Sequence, residues 1–148
     1  MEFQQDNTTP TPCGQPNANV QFPPTVDVGS TAVNSTQDLA FQEEVRVYKD
    51  AGTADKAFAA RLQGVSCGHG SVGSEQATFT QKDVSSEFGV SKAIEIDFQS
   101  PSFQGQLFAF LADDSIVTFQ FQGAPSADTS TLPSPEDITK KGIQKLSS

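Results

Sequence analysis

Few side chains in this sequence are of a type that could carry chemistry, and they are quickly named: Cys13, Cys67, His69 and two carboxylate pairs, Glu95 with Asp97 and Asp113 with Asp114. A metal site needs a cluster of His, Cys or carboxylate ligands at suitable spacing. Cys67 and His69 would supply half of a zinc site, and nothing supplies the other half. His69 reads more simply as a loop histidine beside a bridged cysteine. Nucleophilic catalysis needs a base beside its nucleophile. His69 is the only histidine, and no Gly-x-Ser-x-Gly elbow surrounds a serine. Cys-x-x-Cys is absent, so no thioredoxin-like exchange is expected. Ser71-Val72-Gly73-Ser74 follows a helical stretch instead of opening one, which is the wrong place for a phosphate cradle. A glycosidase wants two carboxylates across a cleft. Glu95 and Asp97 share one parity of an alternating run and read as a solvated face, and Asp113-Asp114 reads as turn chemistry. The residues therefore point to a non-catalytic domain with no cofactor and no metal.

Two cysteines either bridge each other or stand as unrelated thiols in a reducing compartment. Cys13 sits in a Pro/Thr-rich stretch with little reason for burial. An exposed thiol there is a liability and a Cys13–Cys67 bridge gives it a purpose. Closing so long a loop would stabilise by about 4 kcal/mol on the chain-entropy picture, comparable with the net stability of a small domain. Bridging, and with it an extracytoplasmic setting, is the expectation. Formal net charge is -9, from 18 acids against 9 bases, with no Lys or Arg before Arg46 and none between Lys92 and Lys140. A nucleic-acid binder needs clustered cations to displace phosphate counterions, so that class is excluded. Adsorption to an anionic membrane surface is disfavoured on the same ground. No apolar run approaches the ~20 residues of a membrane helix. Met1-Glu2-Phe3-Gln4-Gln5 lacks both the basic and the apolar region of a signal peptide, and Met1-Glu2-Phe3 is expected to be a vector-derived start on an excised ectodomain.

The elements that must position these residues follow from periodicity. Residues 1–35 read as a linker-like arm, pinned by the bridge: Pro10, Pro12, Pro16, Pro23 and Pro24 lie among Gln, Asn and Thr, a composition too poor in apolar surface to offset chain entropy. The folded unit is then 36–148, about 110 residues, enough for one core. Leu39, Phe41, Val45 and Val47 share a parity and predict a strand, with Arg46 and Tyr48 on its other face. Ala54, Ala57, Phe58, Leu62 and Val65 fall at helical spacing behind Thr53 as N-cap. A meander follows: Gln76–Val84, Ala93–Gln99 with Ile94, Ile96 and Phe98 inward, then Gln106–Ala112 and Ser115–Gln122 as a hairpin turning at Asp113-Asp114. That turn opposes Phe108 to Phe119, Phe110 to Val117 and Gln106 to Phe121. The stacked phenylalanines are expected to be ordinary core, and apolar residues on the opposite face mark central strands. Gly123 to Pro133 is a loop. Ser134-Pro135-Glu136-Asp137 starts a last helix with Ile138, Gly142 and Leu146 as a thin apolar edge. The fold class is α+β: an antiparallel meander sheet with helices packed on one face, in the order β-α-β-β-β-β-α.

Three stretches carry a family resemblance: Glu44-Val45-Arg46-Val47-Tyr48-Lys49-Asp50, then Ala54-Asp55-Lys56-Ala57-Phe58, then Val65-Ser66-Cys67. They resemble the extracellular sensor domains of actinobacterial serine/threonine kinases, of the PknH-like type, a fold shared with secreted lipoproteins. The resemblance covers roughly residues 38–147. There are departures: the family type carries two disulfides where this chain has cysteines for one, and Gly64 stands where an aromatic residue often precedes the helix-end cysteine. The resemblance implies a sheet with a solvent-facing groove, no catalytic activity in this domain, and signalling to a kinase across a membrane.

The combined expectation is a membrane-tethered, extracytoplasmic domain that binds an unknown small ligand or cell-envelope component and relays a signal. Arg46, Tyr48 and Phe103 are the candidate ligand contacts. The alternative is a secreted or lipid-anchored carrier for an apolar envelope ligand. A small envelope enzyme is a third reading, which needs a carboxylate deep in an apolar cavity. Homodimerisation is compatible with the sequence, and no residue pattern specifies an interface.

Overall fold

A computed structural model describes residues 10–127 and 134–146. The Met1-Glu2-Phe3 start, residues 128–133 of the predicted loop and the Leu146 side chain lie outside the described residues. Among the described residues the elements are α1 (Ala18–Gln21), β1 (Val26–Val33), β2 (Leu39–Val47), α2 (Ala51–Gln63), β3 (His69–Val72), β4 (Glu75–Asp83), α3 (Ser85–Phe88), β5 (Ala93–Gln99), β6 (Gln104–Ala112), β7 (Ser115–Gly123) and α4 (Pro135–Leu146). The strands make one antiparallel sheet in the order β1-β2-β7-β6-β5-β4-β3. A five-strand meander, β3 to β7, thus meets a β1–β2 hairpin along β2 and β7.

The α+β class and the meander hold; the element order is corrected. α1, β1, β3 and α3 are additional. The linker-like reading of residues 1–35 does not extend to Val26–Val33, which pairs with β2 from Val26↔Val47 to Val33↔Ala40. The strand is an edge, and seven of its eight residues are exposed, so it needs no apolar alternation. Its β-branched Val26, Val28, Thr31 and Val33 were the available signal. The α2 N-cap is Asp50, whose Oδ1 accepts from the Thr53 amide at 2.7 Å, and not Thr53.

The expectation of helices on one face is also corrected. Register defines two faces. Phe108 opposes Phe119, Phe110 opposes Val117, and Ala93 opposes Phe110, so these share the first face. Their core includes Val84 and is packed by Phe88 and Ile143 from α3 and α4. The alternate positions Ala109, Ile116 and Tyr48 form the second core with Ala54, Ala57 and Phe58 of α2. β6 and β7 are apolar on both sides, so each side needs its own cover.

The arm is stapled over the second layer. Cys13 and Cys67 are joined, with Cα atoms 5.8 Å apart across a sequence separation of 54. The Cys13 amide donates to the Gly64 carbonyl at 3.0 Å. A Cβ on Gly64 would sit 2.8 Å from Thr11 Cγ2. The arm therefore occupies the space that a side chain at position 64 would need.

Candidate functional site

α4 decides where the first face is covered and where it is open. Ser134 Oγ accepts from the Asp137 amide at 3.2 Å, capping the helix as its Ser-Pro start predicts. Thr139, fully buried, donates its hydroxyl to the Pro135 carbonyl at 2.8 Å. Gly142 lies flat on Phe119: a Cβ there would come within 2.7 Å of the ring. The helix thus sits over the middle of the sheet. Towards the end where β2 begins and β7 ends, a groove of about 750 Å³ opens beneath Pro135 and Ile138.

The floor is apolar. Phe41 and Phe121 oppose each other in register, with ring centroids 5.0 Å apart, and Leu39 extends the surface. The far wall is polar and comes from β4, β5 and β6: Thr78, Thr80, Asp97, Gln99, Gln104 and Gln106. Thr80 opposes Asp97, and Asp97 opposes Gln106, so three neighbouring strands present these groups side by side. The first-face positions of β6 change from Phe110 and Phe108 to Gln106 and Gln104 along one strand. The apolar core ends where the groove begins. That change of character was the sequence signal for the site.

Glu95 stands behind this wall. It is 5% exposed, which overturns its expected outward placement. Alternation places Glu95 opposite Ile94, as expected, but both faces are covered here and neither is solvent. Gln106 Nε2 donates to Glu95 Oε1 at 2.8 Å. Burial pushes the Glu95 carboxyl well above the usual carboxylate range, and its hydrogen bond and proximity to Asp97 push it the same way. Asp97 lines the groove; Glu95 does not. Glu95 therefore holds the wall's polar groups in place from the rear.

The three candidate ligand contacts from the sequence lie elsewhere. Arg46 and Tyr48 are on the second face, 6% and 2% exposed. Arg46 Nε pairs with Asp27 Oδ2 at 3.1 Å, and its Nη2 pairs with Glu44. Burial first, then hydrogen bonding with Asp27, raises Glu44 to about 7, against the pull of Arg46. The Tyr48 hydroxyl is buried without a hydrogen-bond partner among the described residues, and burial raises it to about 12. Phe103 closes the β5–β6 turn against Phe98, centroids 6.0 Å apart. None of the three lines the groove. His69 is exposed in β3, and no group of three or more His, Cys, Asp or Glu residues fit to hold a metal occurs among the described residues.

No protein-family model matches the chain, and no curated protein matches it. Among solved structures, the chain is similar to the extracellular domain of PknH from Mycobacterium tuberculosis. That likeness has a TM-score of 0.61 at 14% identity, over 90% of this chain and 70% of that one. At this identity the likeness is one of fold alone.

Proposed function

We propose that this chain is an extracytoplasmic ligand-sensing domain of a membrane-bound serine/threonine kinase, and that its ligand occupies the groove under α4. The single observation that carries the reading is the groove itself. It combines the volume of a small-molecule site, an aromatic floor and a few convergent polar groups, on the first face beside a rigid sheet. The disulfide and the shared fold support the extracytoplasmic setting. No helix among the described residues is long and apolar enough to cross a membrane, so the tether belongs to sequence outside these elements in this reading. The domain binds and does not catalyse: its one strongly perturbed acid near the groove faces Asp97 and Gln106, not the open space.

Filling the groove tests this. Ala32 is exposed on the edge strand and lines the groove, so Ala32→Trp occludes it without touching either core. Native mass spectrometry after incubation with a cell-envelope extract should show bound small molecules on the parent protein and their loss in the variant. Equal occupancy of both proteins would overturn the groove as the ligand site. The second reading, a secreted or lipid-anchored carrier, draws on the apolar floor of Leu39, Phe41 and Phe121. The full-length gene separates the two: a membrane span and kinase domain in the same chain support the sensor, and their absence supports the carrier.

A further inference from the structure

Resting on the groove as ligand site, we infer that its ligand is an uncharged, polyhydroxylated amphiphile: a glycoside-like headgroup on an apolar chain. The argument is one of complementarity. The polar wall is made of side-chain amides and hydroxyls, Gln99, Gln104, Gln106, Thr78 and Thr80, together with the Asp97 carboxylate. Amides both donate and accept, and hydroxyls do the same. Such a wall suits a partner whose own groups do both, which is what a set of vicinal hydroxyls offers. Among the described residues no Lys, Arg or His lines the groove. A phosphate or carboxylate headgroup would meet no cation and one carboxylate, in a protein of net charge -9. A simple amine would use Asp97 and leave the amides without work. The floor sets the other half of the ligand. Phe41 and Phe121 lie half-buried with Leu39 beside them, an apolar strip that a hydrocarbon chain covers.

Gln106 links the wall to its support. One of its two amide N–H donors goes to Glu95 at 2.8 Å, which anchors the side chain at the wall and leaves its carbonyl oxygen able to accept from a ligand. Asp97 adds a second acceptor one strand over, directly opposite in register. Two acceptors on directly paired residues of adjacent strands can each receive from a different hydroxyl of one sugar ring, with Thr80 as the third member of the row.

The experiment is a titration of the folded protein, followed by amide resonances of β5 to β7, with octyl glucoside, octyl phosphate and octylamine, each below its micelle-forming concentration. Octyl glucoside should shift the groove resonances with an affinity at least about tenfold tighter than the other two. Removing two wall contacts in Thr80→Val/Gln104→Ala should weaken it about tenfold, the worth of one or two net hydrogen bonds. Asp97→Asn keeps an acceptor but loses its charge and should weaken octyl glucoside binding by less than about tenfold. Tighter binding of octylamine that Asp97→Asn abolishes would overturn the headgroup assignment in favour of a cation. Equal binding of all three would overturn it in favour of the chain alone. In both of those cases the groove stands as a ligand site. Silence of the groove resonances towards all three overturns the headgroup assignment and the groove reading together.

Discussion

Arg46 is the buried cation of the second face, and its removal would strand two acids. Arg46→Ala leaves Asp27 and Glu44 facing each other without the guanidinium. The cost is expected to be about 3 kcal/mol or more, measured by denaturant unfolding at neutral pH. Tyr48 gives the opposite expectation. Its hydroxyl is buried without a partner among the described residues, so Tyr48→Phe should be neutral or stabilising by up to about 1 kcal/mol, whereas a ligand-contacting hydroxyl would cost binding. The acids set a pH dependence whose sign is definite. Glu44 titrates at about 7 in the folded protein, above its ordinary value of 4.5, because burial disfavours its charge. The folded state then holds a proton that the unfolded state has released, so this contribution is present below about pH 4.5 and is lost as pH rises towards 7. Glu95 shifts the same way. Asp38, held low by Thr36 and Asn34, and Asp50, held low by its bond with Thr53, act oppositely and lose their contribution as pH falls below the carboxylate range. Thermal stability should peak on the acid side of neutrality, and Glu44→Gln with Glu95→Gln should flatten its neutral limb.

At the scale of elements, α4 makes the sharpest test. Glycine in a helix interior ordinarily costs about 0.5–1 kcal/mol relative to alanine. Gly142→Ala should reverse that sign here and destabilise by about 1–3 kcal/mol, because the new methyl would meet the Phe119 ring. A stabilised variant by thermal melting would mean that α4 does not rest on Phe119. The elements also show what was legible beforehand. The β6–β7 hairpin is as its alternation and Asp113-Asp114 turn predict, because Ala112 opposes Ser115 and every inner pair follows. β5 matches its predicted ends, and α2 carries the predicted apolar stripe of Ala54, Ala57 and Phe58. β1 was hidden because an edge strand buries little and so shows no apolar alternation, which left its β-branched residues as the sole mark. Glu95 was misplaced for a different reason: alternation states which residues share a face, not whether that face meets water. The groove depends on where α4 lies across the sheet, with Pro135 and Ile138 over it, a tertiary fact that the Gln104 and Gln106 positions only hint at.

At the scale of the whole molecule, the disulfide is the tie between the arm and the two-sided sheet. Cys13→Ser/Cys67→Ser should lower stability by about 4 kcal/mol on the chain-entropy picture, read from denaturant midpoints with and without the bridge. The fall should be unequal across the sheet. Amide exchange should quicken most along β1, which the closed loop contains, and least along β6 and β7, which both cores hold. Equal acceleration everywhere would show that the bridge acts only on global unfolding.

One consequence of that closed loop concerns traffic between molecules. Val26 and Val28 are 48% and 56% exposed on a bare sheet edge, the kind of strand that proteins trade with their neighbours. Here the trade is obstructed, because β1 is anchored on both sides within its own covalent ring and has no loose terminus to lend. A copy that peels it away carries a tethered competitor that returns at high local concentration. Reducing conditions should therefore be what first releases swapped dimers.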